Sequence, residues 1–103
     1  DTGFMCYGLL VHEIGVCDKH IANAAPDEKE GFQGMKEALE GRLELLELSI
    51  NLGTIDQASY VTQTKEALQH ESERAILLKQ KGQTQEYQAA IERVKAMKKE
   101  LDG

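Results

Sequence analysis

The chain has 103 residues, of which 41% are hydrophobic and 29% charged, and its 18 acidic and 12 basic side chains give a formal net charge of -6. A chain of this length fits one domain and can bury a core without metals or disulfides. Its negative charge disfavours nucleic-acid phosphates and anionic lipid as partners, and no apolar run approaches the roughly 20 residues of a membrane-spanning helix. The single proline and the scarcity of aromatic residues argue against an all-β sandwich.

A first helix is predicted over residues 4–24, because apolar side chains recur there with spacings of three and four. This seam consists of Tyr7, Leu10, Ile14, Cys17 and Ile21. Beside it lie three small residues, seven apart, at Gly8, Gly15 and Ala22. Glycine within a helix costs up to ~1 kcal/mol relative to alanine, and the close approach of a neighbouring backbone would offset that cost.

A second helix is predicted to begin at Pro26, which suits the first helical position, and the acidic residues after it favour the positive end of the helix dipole. One apolar stripe contains Phe32, Met35, Leu39, Leu43, Leu46 and Ile50, and another contains Ala38, Leu45, Leu48 and Leu52. The opposite side carries Glu37, Glu40, Glu44 and Glu47. So wide an apolar arc predicts contacts with two neighbouring helices.

The next break lies at positions 53 and 54. Gly53 suits the left-handed position after a helix, and Thr54 with Gln57 has the form of a capping box. So short a link predicts that the second and third helices are antiparallel neighbours. The third helix is predicted over residues 55–81, with inward positions at Ala58, Val61, Leu68, Ala75 and Leu78.

Gly82 ends the third helix and Thr84 can cap the fourth, whose seam contains Tyr87, Ala90, Val94, Met97 and Leu101. Four amphipathic segments joined by short breaks predict an all-α, antiparallel up-and-down bundle of four helices, forming one domain over residues 1–103. The alternative is a three-helix core from Pro26 onward, with the N-terminal helix docked on it or exchanged between copies. Because the chain opens with Asp1 rather than methionine, we expect a piece of a larger protein.

Cys6, His12, Cys17 and His20 are the residues whose types suit metal or thiol chemistry. On a helix, Cys6 and Cys17 share a face but lie about 16 Å apart along the axis, and His12 points to nearly the opposite side. The four groups therefore cannot converge on one ion, and their spacing matches neither the paired zinc-ligand motifs nor the H-E-x-x-H motif. We predict no metal ligand, no cofactor and no catalytic residue. The small number of cysteines favours a reducing, cytoplasmic location.

The predicted function is that of a non-enzymatic adaptor or scaffold, binding another protein or a second copy of itself through an apolar, coiled-coil-like helical face. The candidate apolar contacts are Leu9, Val16, Leu48 and Leu52. The row Glu37, Glu40, Glu44 and Glu47 is either a docking face for a basic partner or the solvated side of its helix.

Two alternative functions stay open: a helical carrier or sensor of a small ligand or metal, and a non-catalytic subunit of an enzyme complex. The hairpin around "LGTID" and the segment "QEYQAAIERVKAMKKEL" resemble, in their pattern, helical adaptor regions of trafficking and cytoskeletal proteins. That resemblance implies an interaction role and no particular site residue.

Overall fold

The computed structural model describes residues 3–103, and these form four α-helices without a strand. The helices are α1 (Tyr7–Asn23), α2 (Pro26–Leu52), α3 (Gln57–Gln80) and α4 (Thr84–Asp102). The predicted all-α, up-and-down bundle of four helices is confirmed. Asp1, the basis for expecting a larger parent protein, lies outside the described residues.

Short-range chemistry explains the breaks on either side of α2 and after α3. Pro26 is the first residue of α2, and the Glu28 carboxylate accepts a hydrogen bond from the Ala25 N–H at 3.3 Å. Gly53 and Gly82 both have a φ of 74°, the left-handed conformation that glycine adopts without a steric penalty. The predicted positions of the three breaks are therefore confirmed.

The N-terminus of α1 differs from its prediction. The helix begins at Tyr7 rather than residue 4, and Cys6 has an extended backbone. Residues 4–6 instead pack into the bundle, where the Phe4 ring meets the Tyr60 ring edge to face at 5.7 Å. The tertiary contact outweighs the local helical pattern over these three residues.

The predicted capping box at the start of α3 is wrong. Asp56 is the N-cap, and its carboxylate accepts a hydrogen bond from the Ser59 N–H at 2.7 Å. Hydrogen bonding to the backbone and side chain of Ser59 lowers the pKa of the Asp56 carboxyl. Thr54 turns the other way, and its hydroxyl donates to the carbonyl of Ser49 at 3.1 Å, near the end of α2.

Across the bundle the helices follow the order α2, α1, α4, α3. Within the described residues, no Cα of α2 lies within 8 Å of a Cα of α3, so the prediction that these helices are neighbours is wrong. The N-terminal segment reaches both of them, since the Arg42 guanidinium of α2 donates to the Gly3 carbonyl while Phe4 contacts Tyr60 of α3. The three-helix alternative is wrong as well, because α1 lies between α2 and α4.

Two clusters of buried residues form most of the core, and neither contains a residue of α2; Leu10 and Cys17 of α1 are buried outside them. One joins Cys6 and Leu9 to Met97, with Tyr60 and Leu68 packed against it. The other lies between α3 and α4 and contains Ala75, Leu78 and Ala90. The core of this protein is therefore built mainly around α1, α3 and α4.

The inward seams of α3 and α4 largely follow prediction. In α4, Ala90 and Met97 are buried, while Tyr87, Val94 and Leu101 are half-buried. In α3, Ala75 and Leu78 are buried, Val61 and Leu68 are half-buried, and Ala58 is exposed, contrary to prediction. Thr64, fully buried, fills the gap in the α3 seam, and its hydroxyl donates to the Tyr60 carbonyl at 2.8 Å.

Candidate functional site

The cysteines and histidines near the N-terminus lie in separate environments. Cys6 packs with Leu9 and Met97, whereas His20 stacks on the Phe32 ring of α2 with 4.8 Å between centroids. Both cysteines are buried free thiols. Among the described residues, no group of three or more histidine, cysteine, aspartate or glutamate side chains is arranged to hold a metal ion.

Burial makes both thiols weak nucleophiles. It raises the pKa of the Cys6 thiol to about 11, and the neighbouring Glu100 carboxylate adds to the rise. Burial also raises the pKa of the Cys17 thiol, with the charges of Glu13 and Asp18 contributing. A nucleophilic cysteine is activated by the opposite shift, toward a lower pKa.

The N-terminus of α1 is capped by side chains from two other helices, a feature that the sequence analysis missed. The Tyr60 hydroxyl accepts a hydrogen bond from the Tyr7 N–H at 2.8 Å and donates to one oxygen of Glu100. The other Glu100 oxygen accepts from the Gly8 N–H at 2.5 Å. The available signal was the cysteine at the N-cap position, because a helix without its own cap needs acceptors from elsewhere.

A half-buried ionic network links three helices and was also missed. The Arg93 guanidinium of α4 contacts the Glu71 carboxylate of α3 at 2.7 Å, and lies 3.8 Å from the Glu13 carboxylate of α1. Arg74 binds the same Glu71 carboxylate at 3.0 Å. Glu71 sits in the inward seam of α3, between Leu68 and Ala75, and is stabilised there by its cations. The charged groups of the network pair with one another across the three helices.

An open groove of about 870 Å³ runs along α1 and α4. Tyr7, Val11 and Ile50 contribute exposed apolar surface to it, and Lys95 and Lys99 lie along its α4 side. Its lining mixes both signs of charge, since Glu92 and Glu100 stand beside the two lysines. The groove therefore presents no single charge for a ligand to match.

The four predicted apolar contact residues are not brought together. Leu9 is only 7% exposed and belongs to the core, so its prediction as a surface residue is wrong: the extended residues 4–6 and Met97 cover it. Val16 is half-buried on α1. Leu48 and Leu52 are exposed on α2, 52% and 69% respectively, so the four residues do not form one exposed surface.

The second apolar stripe of α2, predicted as Ala38, Leu45, Leu48 and Leu52, is exposed throughout. Three exposed glycines continue its spacing of three and four toward the N-terminus, and we call the whole set the outer seam: Gly31, Gly34, Ala38, Gly41, Leu45, Leu48 and Leu52. At 100° per residue, it lies roughly 150° around the helix from the side that packs on α1. The prediction that α2 touches two neighbouring helices is wrong within the described residues, because only α1 packs against it.

The predicted acidic residues occupy two positions around α2: at 100° per residue, Glu37 and Glu44 lie at the edge of the outer seam, whereas Glu40 and Glu47 lie roughly 130–150° from its centre. Glu37, Glu40, Glu44 and Glu47 are all exposed, and Glu30 extends the row toward the N-terminus. Within residues 3–103 none of these five carboxylates forms an ion pair, although Gln33 donates to Glu37 at 3.4 Å. Lys36, on the same helix, is bound to Asp18 at 2.7 Å and also interacts electrostatically with Glu40. Among the described residues, the edge formed by Glu30, Glu37 and Glu44 is thus a negative surface without an ion-paired cation.

In the part of the chain that the structure describes, no helix is long and apolar enough to cross a lipid bilayer. The outer seam, its acidic edge and the α1–α4 groove are three exposed surface features of the described residues. Comparisons of this chain with protein-family models, curated proteins and solved structures find no match.

Proposed function

We propose that this chain is a non-enzymatic adaptor or scaffold module that binds a helical segment of another protein along the outer seam of α2. One observation carries the proposal. The helix packs on α1 with one side only, contains no buried residue, and carries on its other side a seam with the spacing of helix-to-helix contacts. An amphipathic helix is the occupant that such a seam fits.

Exposure of the three leucines supports this role. Leu45, Leu48 and Leu52 are 65%, 52% and 69% exposed, and they follow one another on a single face. Soluble proteins rarely leave contiguous apolar patches uncovered unless the patch serves an interaction. Covering these side chains gains hydrophobic free energy without rearranging the core, because the outer seam contributes nothing to it.

A cytoplasmic location forms part of the proposal. Its support is that Cys6 and Cys17 are both free and buried, a state that a reducing compartment preserves. The non-enzymatic role is supported by the raised pKa of each thiol and by the ionic groups of Arg93 and Glu71, which are engaged with each other.

The test compares two doubly substituted chains with the wild type. Leu45→Asp with Leu48→Asp alters the outer seam, and Ile76→Asp with Leu77→Asp alters exposed apolar residues of α3 as a matched control. Each chain is immobilised and exposed to cell extract, and its thermal unfolding is followed by circular dichroism. We expect a protein retained by the wild type and the α3 control to be lost from the seam variant, with the unfolding midpoint of that variant unchanged.

Two results would contradict the proposal. Retention of the same proteins by all three chains would mean that the outer seam does not bind them. Unfolding of the Leu45→Asp, Leu48→Asp chain would mean that these leucines belong to the core rather than to a binding surface.

A further inference from the structure

The outer seam is divided by side-chain size. Its N-terminal part consists of Gly31, Gly34, Ala38 and Gly41, whereas its C-terminal part consists of Leu45, Leu48 and Leu52. No heavy atom lies within 4 Å of the position that a Cβ would occupy at Gly31, Gly34 or Gly41. The N-terminal part therefore leaves room for large side chains of an occupant, and the C-terminal part suits small ones.

The outer seam is also divided by charge. Glu30, Glu37 and Glu44 recur every seven residues along one of its edges, roughly 70° around the helix from its centre at 100° per residue. The opposite edge contains Met35, Arg42 and Ser49. In a helix pair, residues at these edge positions face the partner and determine which partner is accepted.

A second copy of this chain fits the outer seam poorly. In an antiparallel pair, leucines would meet glycines, but the acidic edge of each copy would face the acidic edge of the other. In a parallel pair, glycines would face glycines and leucines would face leucines, so one interhelical distance could not suit both halves. Both arrangements carry a penalty that a partner of different sequence avoids.

Resting on the proposed function, we propose that the occupant of the outer seam is a basic amphipathic helix of another protein. Its large apolar residues lie over Gly31, Gly34 and Gly41, its small residues lie over the three leucines, and its lysine or arginine side chains pair with Glu30, Glu37 and Glu44. The net charge of -6 favours the encounter with a positively charged segment.

The probe is a set of four labelled 25-residue helical peptides. Two of the peptides carry lysine at the positions that flank their apolar stripe. In one, the stripe has leucines in its N-terminal half and alanines in its C-terminal half; in the other, this order is reversed. Two more replace every lysine with glutamate. Binding to the full chain is measured by fluorescence anisotropy at two salt concentrations.

We expect one lysine peptide to bind at least tenfold more tightly than its glutamate counterpart, with an affinity that falls as salt rises. Glu37→Lys with Glu44→Lys should invert that preference. Glu66→Lys with Glu73→Lys makes the same change of net charge on α3 and should leave the preference intact. Gly34→Leu should weaken binding at least tenfold, because its side chain would occupy space meant for the partner.

Each failure points to a different conclusion. If the lysine and glutamate peptides bind equally, and both lose binding to the chain with Leu45→Asp and Leu48→Asp, the inference of a basic partner would be wrong. The proposed function would still stand. Binding of the lysine peptides that survives those two aspartates would overturn the outer seam as their site. A wild-type dimer in light scattering that Leu48→Asp converts to a monomer would identify a second copy as the occupant and overturn the inference. Absence of binding by every peptide would overturn it as well.

Discussion

Tyr60 and Glu100, forty positions apart on α3 and α4, are hydrogen-bonded to each other and together cap the N-terminus of α1. Burial and this hydrogen bond raise the pKa of the Tyr60 phenol, so the hydroxyl remains a donor to Glu100. The same hydroxyl accepts from the Tyr7 N–H, which lies in a helix whose own N-cap position offers no side-chain acceptor. The start of α1 thus depends on the docking of α3 and α4 against it.

Replacing the Tyr60 hydroxyl should destabilise the whole bundle. We expect Tyr60→Phe to lower the free energy of unfolding by about 1–2 kcal/mol, because it leaves the Tyr7 N–H without its acceptor and Glu100 without its donor. Tyr87→Phe is the matched control, and should change the free energy by less than about 0.5 kcal/mol. Urea denaturation followed by circular dichroism measures both. Equal effects of the two substitutions would show that the Tyr60 hydroxyl has no special role.

Two glycines of α1 should respond to alanine with opposite signs. A Cβ at Gly8 would lie 2.8 Å from the Glu100 Oε1 and 3.3 Å from the Ala96 carbonyl oxygen of α4, so we expect Gly8→Ala to destabilise by about 1–3 kcal/mol. At Gly15 nothing lies within 4 Å, and Gly15→Ala should stabilise by about 0.5–1 kcal/mol through helix propensity. Thermal unfolding of both variants tests the pair. Stabilisation by both would mean that α1 and α4 approach less closely than described.

The Arg93 and Glu71 pair should contribute more than an exposed pair on the same helix. Arg93→Met leaves the half-buried Glu71 carboxylate with only the exposed Arg74, and we expect a loss of about 1–2 kcal/mol. Lys95→Met removes the exposed pair with Glu92 and should cost less than about 0.5 kcal/mol. A double-mutant cycle with Glu71→Gln isolates the coupling of the pair. Additive single effects would exclude a direct interaction.

Stability should decline at high pH because of Cys6. The pKa of this thiol is raised to about 11 from an ordinary value of 9.0, so the folded chain holds the proton more tightly than the unfolded chain. The resulting stabilisation is fully present below pH 9 and is lost as the pH rises toward 11. We expect Cys6→Ala to show a smaller decline than the wild type over this range in urea denaturation. A residual decline is expected in both, because the pKa of Tyr60 is raised too.

Two helical leucines, one buried and one exposed, should differ widely in their effect on folding. Leu10 is 1% exposed in α1, and Leu10→Ala should destabilise by about 2–4 kcal/mol. Leu48 is half exposed on the outer seam, and Leu48→Ala should change the free energy of unfolding by less than about 0.5 kcal/mol. Chemical denaturation separates the two. A large loss for Leu48 would mean that its side of α2 is covered within the fold.

The four helices and their breaks follow from interactions between residues close in sequence, so they can be predicted from the sequence alone. Proline at a helix start, glycine in the left-handed conformation at a helix end, and apolar residues spaced three and four apart each act over a few neighbouring residues. The predictions at Pro26, Gly53 and Gly82 are therefore confirmed, as is the α4 seam that buries Ala90 and Met97.

Which helices pack side by side depends on contacts between residues distant in sequence, and local patterns do not predict those contacts. Of the two apolar stripes of α2, the first is half-buried at four of its six members, with Met35 and Ile50 exposed, and the second belongs to the outer seam. The reason is that α1 rather than α3 lies beside the helix. Leu9 is a core residue because it packs in one cluster with Met97, which lies near the other end of the chain. The first turn of α1 likewise obtains its cap from Tyr60 and Glu100, since hydrogen-bond acceptors that a segment lacks locally must come from whatever the packed fold brings near it.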